Sequence, residues 1–389
     1  MPCFPSAPET SMDLKDFTSG TYTQQRQYRS FTPSPVNHTW VWSNPKINTL
    51  LEDANHKLGA LDAFSRQLPD VDYFIRMHVI KEATTSSRIE GTKTSVEEAL
   101  LTGSEINPER RNDWQEVQNY IAAMNNAVKR LRRVPVSTRL LKETHKILLS
   151  KGRGSTKTLG EYRRSQNWIG GSSLKDAVFV PPSYEEVDPL MGDLENFLHN
   201  DSIDVPHLIR IAIGHYQFET IHPFLDGNGR VGRLLITLYL VSKGLLTRPT
   251  LYLSDYFDKH RSLYYDNLIN ARARNDLAQW IRFFLVAVAE TCNNGISTFG
   301  KIQKLREDIE GKRIVQLGKR LPKAKTLVMS LYRNPRITAA NVTTILRVTP
   351  KTANELIQDL VDLKILVEST GNKRNRVFSF VEYLKLFSE

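Results

Sequence analysis

The chain has 389 residues, of which 40% are hydrophobic and 24% are charged. This composition is typical of globular proteins and excludes wholesale disorder, and the length favours two or three domains. Lys and Arg number 53 against 42 Asp and Glu, so the net charge of +11 favours an anionic partner such as a nucleotide or a nucleic acid.

The apolar runs and the cysteine count bear on the cellular compartment of the protein. The longest apolar runs, 234–241 and 283–289, are much shorter than the roughly 18 residues that a membrane-spanning helix needs. The first residues lack the basic-then-apolar order of a signal peptide. Cys3 and Cys292 are too few for a disulfide framework or a thiolate metal cluster. We therefore expect a soluble, cytoplasmic protein with no membrane partner.

Helical periodicity dominates the chain between its two ends. Residues 1–45 are rich in Ser, Thr, Pro and Gln, which predicts a flexible lead-in. Apolar residues then recur at helical spacing from Ile47 as far as Asn294. Strand character is confined to 168–170 and 178–182, which predict one hairpin. The sequence predicts a mainly α fold, with an N-terminal helical region over 46–110 and a second helical domain over 111–300.

The C-terminal part has a different pattern and most of the positive charge. Residues 318–389 contain 13 Lys or Arg and 6 Asp or Glu, which amounts to +7 of the net charge. Two short predicted helices, 341–346 and 351–363, precede two predicted strands around 371–374. This order predicts a small α+β winged-helix domain over 321–389, after a helical connector over 301–320.

The most informative run is 221–233, IHPFLDGNGRVGR, which joins two predicted helices. Gly227 and Gly229 permit a tight turn, and successive amide groups in such a turn at a helix start form an anion site. Arg230 and Arg233 lie three residues apart, so they share one face of the following helix and can grip adjacent phosphates.

Two side chains of the same run carry further chemistry. Asp226 offers a carboxylate oxygen of the kind that Mg²⁺ accepts beside phosphates. His222 titrates near neutral pH and suits a general base. Each residue alone also has an ordinary structural interpretation. A histidine at a helix end, for example, is more often structural than catalytic. The hypothesis of a phosphate-binding catalytic site therefore depends on the combination of these residues in one run.

The run resembles the signature of Fic-domain proteins, H-x-F-x-(D/E)-G-N-G-R-x-x-R, and agrees with it at every fixed position. The stretches GEYR at 160–163, WIGG at 168–171 and VFVPP at 178–182 also resemble the family, although Leu159 stands where proline is common. The resemblance covers roughly 45–300. It implies a Fic-type helical bundle with a β-hairpin flap, 111–300 being the Fic domain, and a winged-helix tail is similar to one that many members carry.

Most Fic proteins transfer AMP from ATP to a hydroxyl side chain of a protein and release pyrophosphate. The resemblance implies that His222 is the base and that Asp226 holds Mg²⁺. It assigns phosphate binding to Gly227, Asn228, Gly229, Arg230 and Arg233. It places Tyr264 and Tyr265 at the nucleotide pocket, although core packing is nearly as good an interpretation of either. The flap residues Val178, Phe179 and Val180 would pair with an extended stretch of the target protein.

A second motif lies further upstream. Ser86, Glu90 and Gly91 form Ser-x-x-x-Glu-Gly, and residues four apart share a helix face. Alone, the pattern describes any solvated pair followed by a glycine stop. Beside a Fic signature it resembles the family's inhibitory motif, which implies that the Glu90 carboxylate reaches Arg233 and takes the place of the γ-phosphate. We therefore predict an autoinhibited enzyme.

The sequence leaves other functions open. Gly229 stands where kinase members of the family have lysine, so nucleotidyl transfer is favoured, but AMP removal and phosphocholine transfer use nearly the same residues. The basic tail suggests a nucleotide-sensing DNA-binding regulator, although acidic residues on the recognition helix oppose DNA binding. The intact His222 favours the enzyme. The sequence also leaves open whether the chain modifies itself and whether it forms a homodimer.

Overall fold

The computed structural model describes residues 11–67, 71–152, 157–371 and 376–388, except the side chains of Tyr73 and Ser388. It is mainly helical, as the periodicity predicts. The helices up to residue 308 are α1 Pro45–Gln67, α2 Val71–Ile89, α3 Val96–Ala99, α4 Arg111–Arg130, α5 Thr138–Leu148, α6 Val187–His199, α7 His207–Ile221, α8 Asn228–Ser242, α9 Ser254–Lys259, α10 Arg261–Arg274 and α11 Leu277–Asp308. Within the described ranges, no helix is long and apolar enough to cross a bilayer.

Helices α7 and α8 lie at the centre of the fold. Almost every residue of both is buried, including polar ones such as His215 and Arg233. A helix that is buried on all sides needs neighbours all round, and α7 packs on α6, α8 and α11 while α8 also packs on α4 and α5. The loop 222–227 that joins α7 to α8 is therefore held at the core by both of its ends.

The N-terminal part is ordered from residue 11, which corrects the prediction of a flexible lead-in over 1–45. Four short strands form here: β1 Ser11–Asp13, β2 Gly20–Gln24, β3 Arg29–Pro33 and β4 Thr39–Val41. Strands β2 and β3 make an antiparallel hairpin, and β1 pairs with β4 in parallel. Phe31 and Trp40 are buried, so two aromatic anchors hold a segment whose polar composition suggested mobility. Residues 1–10 lie outside the described residues.

The predicted flap is shorter than a full hairpin. Ile169 and Phe179 form a single antiparallel bridge, with N–H···O distances of 2.8 and 3.1 Å. Gly170 and Gly171 both have positive φ, and proline follows at 181 and 182. Proline lacks an N–H group and glycine weakens a strand, so the ladder cannot extend in either direction.

The C-terminal part has more elements than the two helices and two strands that the sequence predicts. The elements are α12 Leu321–Arg333, β5 Arg336–Thr338, α13 Ala339–Leu346, α14 Pro350–Asp362, β6 Val367–Glu368, β7 Val377–Ser379 and α15 Val381–Ser388. The strands form an antiparallel sheet in the order β5-β7-β6. Lys373 and Arg374, at the predicted hairpin tip, lie outside the described residues.

The predicted helical connector over 301–320 begins as the end of α11 and is interrupted before α12. Helix α11 runs on to Asp308 and passes through a π-helical turn, Ile309–Arg313, into a 3-10 segment, Ile314–Arg320. The break comes at Gly318, whose φ of 53° departs from a right-handed helix.

An aromatic cluster joins the C-terminal part to α2. The ring of Phe74 lies 5.4 Å from Tyr332 on α12 and 6.5 Å from Tyr383 on α15. One turn further along α2, His78 lies 5.2 Å from Phe387. Phe74 is 1% exposed, so this contact is part of the core and anchors the first half of α2.

We expect Phe74→Ala to lower the free energy of unfolding by about 3–5 kcal/mol, because a buried aromatic side chain is removed and a cavity remains. Chemical denaturation followed by circular dichroism measures the change. Leu263→Ala, at a side chain that is 53% exposed, is the control and should change stability by less than about 0.5 kcal/mol. Equal effects of the two substitutions would contradict the packing described here.

Candidate active site

His222 stands at the C-terminal end of α7 in a left-handed backbone conformation, with φ 50° and ψ 59°. Its N–H donates to the Phe218 carbonyl at 3.0 Å, which closes the helix. A residue other than glycine rarely adopts this conformation, and such strain is typical of functional sites. The chain thereby leaves the helix abruptly and turns the imidazole toward the loop.

The protein holds the His222 imidazole in its neutral form. Burial lowers the pKa of His222 to about 4. Its Nδ1 lies 3.4 Å from the Glu219 carbonyl, an acceptor, which favours the tautomer with the proton on Nδ1. The His222 carbonyl accepts from Arg163 Nε at 3.1 Å. This tautomer leaves Nε2 with a lone pair, so the imidazole can accept a proton.

The loop itself is closed by Asn228. Its Oδ1 accepts from the Phe224 N–H at 2.8 Å, and its Nδ2 donates to the Phe224 carbonyl at 2.8 Å. The side chain is buried. The structure therefore differs from the expected phosphate-binding role of Asn228, because both polar atoms of the amide bind the loop backbone.

A second histidine, which the sequence analysis did not identify, supports the loop from below. The His145 ring stacks on Phe224 with 3.9 Å between ring centroids. The Gly160 N–H donates to His145 Nδ1 at 3.0 Å, so the proton lies on Nε2, which donates to the Asp226 carbonyl at 3.1 Å. Burial lowers the pKa of His145 to about 4.

Asp226 carries the carboxylate at the mouth of the loop. Its side chain is 40% exposed, and Oδ1 accepts from the Gly227 N–H at 2.6 Å. Gly227 has φ 76°, which only glycine adopts easily. Among the described residues, no group of three or more His, Cys, Asp or Glu side chains could hold a metal ion. One exposed carboxylate suits Mg²⁺ that shares its ligands with phosphates, because Mg²⁺ commonly takes one or two carboxylates there.

Arg233 meets the predicted inhibitory motif on α2. Its side chain is 2% exposed, and Nη2 lies 2.7 Å from Glu90 Oε1. Nε donates to Ser86 Oγ and Nη2 to the Ser86 carbonyl, both at 2.9 Å. Burial would raise the pKa of Glu90, but Arg233 outweighs it and holds that pKa below its ordinary value. The spacing that the sequence analysis noted thus brings Ser86 and Glu90 to one guanidinium.

Glycines define the space around Glu90. A Cβ atom at Gly229 would collide with Glu90 Oε1, so the absence of a side chain at 229 makes room for the carboxylate. Gly91 has φ 99° and follows the end of α2 directly, where it permits the sharp turn after Glu90. The Glu90 carboxylate therefore lies above the first turn of α8.

Arg230 pairs with a different carboxylate from the one that Arg233 binds. Its Nη1 lies 3.0 Å from Glu116 Oε2 on α4, and both side chains are buried. Its Nη2 lies 3.6 Å from Asp226 Oδ1. The sequence placed Arg230 and Arg233 on one helix face, but it gave no signal that Glu116 would meet the first of them, because that contact joins residues 114 positions apart.

Glu219 is a buried carboxyl group that sequence reasoning also missed. Burial raises its pKa to about 8, so it is largely protonated at neutral pH. It lies against Gly232, where a Cβ atom would collide with Glu219 Oε1. A usable signal exists in the sequence, since no other residue of α7 is acidic.

The two tyrosines that were candidates for the nucleotide pocket differ in exposure. Tyr264 is buried, its hydroxyl lies 3.0 Å from His215 Nε2, and its ring stacks on Phe257, so it belongs to the core. Tyr265 is 38% exposed, and both Glu90 and Arg233 influence its pKa, which burial raises. Only Tyr265 therefore has a surface that a nucleotide can contact.

The edge of the flap is partly covered by the N-terminal hairpin. The Phe31 N–H on β3 donates to the Val180 carbonyl at 3.0 Å, and the Phe31 and Phe179 rings lie 5.9 Å apart. Phe179 and Val180 are buried, whereas Val178 is 70% exposed. Of the three predicted docking residues, Val178 alone is open to solvent.

Comparison with known proteins agrees with this geometry. A family model described as Fic/DOC family N-terminal matches residues 48–129, and one described as Fic/DOC family matches residues 135–240. The two matched segments together span just under half of the chain, and the chain is similar to Fic/DOC proteins over them. The N-terminal match includes α4, which the sequence analysis assigned to the Fic domain, so Glu90 and Glu116 both lie in the Fic N-terminal segment and both signature arginines in the Fic segment.

Curated relatives and solved structures are similar to parts of the chain. It is 35% identical over 125 residues to a protein adenylyltransferase Fic of Aedes aegypti, which is 32% of this chain and 22% of the relative. The counterpart in Culex quinquefasciatus is 34% identical over the same length, again 22% of the relative. The chain thus spans about a fifth of these relatives.

Solved structures support the fold over a longer stretch. A Fic family protein from Desulfovibrio desulfuricans has a TM-score of 0.55 and 21% identity, covering 87% of this chain and 96% of that one. A Fic-domain signaling protein from Bacteroides thetaiotaomicron has a TM-score of 0.52 and 18% identity, over 64% and 95%.

Buried neutral histidines make the stability of the protein depend on pH. Burial lowers the pKa of His215 to about 3, and those of His145 and His222 to about 4. These groups stay neutral in the folded chain but take up protons in the unfolded chain below about pH 6.5. Their contribution is therefore present above pH 6.5 and is lost as the pH falls toward 4.

We expect the free energy of unfolding to fall by about 1.4 kcal/mol per pH unit for each such histidine over that range. Denaturation at pH 7.5, 6.5, 5.5 and 4.5 measures the slope. His215→Gln should reduce it by the share of one histidine. Identical slopes in wild type and His215→Gln would contradict a neutral, buried His215.

Proposed function

We propose that this protein is a Mg²⁺-dependent protein adenylyltransferase that transfers AMP from ATP to a Ser, Thr or Tyr hydroxyl group and that Glu90 inhibits. The observation that carries the proposal is the neutral imidazole of His222 at the same loop as the Arg233 guanidinium, in a chain whose curated relatives are named protein adenylyltransferase Fic.

His222 acts as the general base. The target hydroxyl oxygen attacks the α-phosphorus of ATP and its proton passes to His222 Nε2. The bond between the α-phosphorus and the oxygen that bridges to the β-phosphorus breaks, so the products are the AMP ester of the target and pyrophosphate. A base whose pKa is about 4 is unprotonated at pH 7, which satisfies the first requirement of this step.

The loop and α8 bind the nucleotide phosphates. The backbone amides from Gly227 to Gly229 lie at the N-terminus of α8, where the helix dipole favours anions. Arg233 supplies a positive charge one turn further on. Asp226 would hold Mg²⁺, which neutralises phosphate charge when it is bound. Tyr265 is exposed at the right place to contact the nucleotide, whereas the surroundings of Tyr264 and Asn228 favour structural roles.

Val178 offers the open part of the flap to the target. Because its side chain is exposed and its backbone makes no hydrogen bond within the described residues, an extended segment of a target protein can pair with it. The N-terminal hairpin already binds the neighbouring Val180 carbonyl, so this docking edge is short. The target itself, and modification of the chain by itself, stay open to experiment.

Glu90 inhibits by competing for Arg233. A carboxylate 2.7 Å from the guanidinium takes the position in which a terminal phosphate would otherwise bind. Ser86 binds the same guanidinium at Nε and Nη2, which fixes its direction. ATP that binds while Glu90 is in place would therefore have misaligned phosphates.

DNA binding is the weaker candidate. Helix α14, the proposed recognition helix, exposes Glu355 and Asp362 beside Lys351, and Asp359 pairs with Arg320 at 2.9 Å. Carboxylates on the exposed face repel the DNA backbone. We therefore assign the C-terminal winged helix no DNA-binding role in the proposed function.

We expect Glu90→Gly to increase AMP transfer by about 10- to 100-fold, since a hydrogen bond to a charged group is worth about 1.5–3 kcal/mol. The purified chain is incubated with Mg²⁺ and ATP labelled at the α-phosphate or, separately, at the γ-phosphate, with and without cell lysate. Label should arrive only from the α-position and should disappear in Glu90→Gly/His222→Ala.

Glu109→Gly, which removes an exposed carboxylate elsewhere, is the matched control and should behave as wild type. Label from the γ-position would show phosphate transfer and contradict the proposal. A Glu90→Gly protein that is no more active than wild type would contradict the inhibitory role. Label that survives His222→Ala would contradict the assignment of the base.

A further inference from the structure

Each of the two signature arginines is paired with a carboxylate from the N-terminal segment, but the two pairs differ in burial. Glu90, beside Arg233, is 35% exposed. Glu116, beside Arg230, has a side chain that is 6% exposed, and the Arg230 side chain is 4% exposed. A phosphate that approaches from solvent can therefore replace Glu90, whereas Glu116 is inaccessible to it.

The burial of the second pair also fixes Arg230 in place. Separation of a buried ion pair is strongly unfavourable, because removal of one partner takes away the charge that compensated the other in the interior. If Arg230 swung out to a nucleotide, the buried Glu116 carboxylate would lose this guanidinium, and the Arg230 contact with Asp226 would be lost as well. The pair is also close to neutral as a whole, so it adds little attraction for phosphates.

Arg230 instead faces the carboxylate at the mouth of the loop. Its Nη1 binds Glu116, and its Nη2 lies 3.6 Å from Asp226 Oδ1, the oxygen that also accepts the Gly227 N–H. The three side chains form a line from the buried face of α4 to the partly exposed loop. Asp226 Oδ2 makes no hydrogen bond within the described residues. Gly227 and Arg230 therefore hold Oδ1, while Oδ2 is available to a metal ion.

We propose that Glu116 and Arg230 are positioning residues that orient the Asp226 carboxylate toward the Mg²⁺ of the bound nucleotide, and that Arg230 is not itself a phosphate ligand. This inference rests on the proposed function, since it requires a nucleotide site at the loop. It assigns different tasks to two arginines that the sequence pattern makes equivalent.

The affinity for ATP with and without Mg²⁺ separates the two roles of Arg230. In the full-length Glu90→Gly chain, titration calorimetry with ATP is performed in excess Mg²⁺ and in EDTA. We expect Glu116→Gln and Arg230→Gln each to reduce the gain in affinity from Mg²⁺ by about tenfold, because second-shell partners of metal ligands typically have effects of that size. In EDTA both should bind ATP as the parent does.

The double variant Glu116→Gln/Arg230→Gln should lose no more of the Mg²⁺ gain than either single variant, because all three break one line of contacts. It removes both charges of the buried pair together, so it tests the proposal even where a single variant unfolds. Thermal denaturation checks folding, and Glu109→Gln is the matched control at an exposed acid just before α4.

Each contrary result has a distinct meaning. If Arg230→Gln weakens ATP binding equally in EDTA, Arg230 is a phosphate ligand and the proposal is wrong. If Glu116→Gln strengthens ATP binding, Glu116 is a second inhibitory carboxylate, which also overturns it. An unchanged Mg²⁺ gain in the double variant overturns this inference alone. No Mg²⁺ gain in the Glu90→Gly parent overturns the proposed function and this inference together.

Discussion

The Arg233 guanidinium is the point on which the proposed active site and its inhibition both depend. A cation whose side chain is 2% exposed requires an anionic partner, since an unpaired buried charge is strongly unfavourable. Glu90 supplies that partner, and Ser86 accepts from Nε and Nη2 of the same guanidinium. Anything that removes Glu90 must therefore supply another anion. A terminal phosphate of the nucleotide meets this requirement, so under the proposed function Glu90 and the nucleotide would compete for one charge.

The attachments of α2 indicate how such a competition can be resolved. Glu82 accepts hydrogen bonds from Tyr120 at 2.9 Å and from Ser254 at 2.6 Å, and Phe74 is buried against Tyr332. The helix is thus fixed along its length. Glu90 lies beyond the last helical residue, Ile89, and next to a glycine in a left-handed conformation. We infer that release requires movement of this short terminal segment rather than removal of the helix.

Local sequence information predicted the parts of the structure that depend on local chemistry. The glycine turn, the helices on either side of it and the Ser86/Glu90 spacing follow from backbone preferences and from the helical period. The ordered strands before residue 45 were missed because their order comes from two buried aromatic anchors, Phe31 and Trp40, in a polar segment. Glu116 was missed for the related reason that its partner is far away in sequence.

The Fic signature illustrates the limit of such reasoning, because a pattern fixes residue types but not their tasks. Asn228 and Arg230 belong to the same run as His222 and Arg233, yet the Asn228 amide closes the loop and the Arg230 guanidinium pairs with a buried carboxylate. The difference lies in burial. A polar side chain surrounded by protein must satisfy its hydrogen bonds there, which leaves it few for a ligand. Among the polar side chains of the run, His222 and Asp226 are partly exposed and Arg233 has an exposed partner, which suits them to the nucleotide contacts of the proposed function.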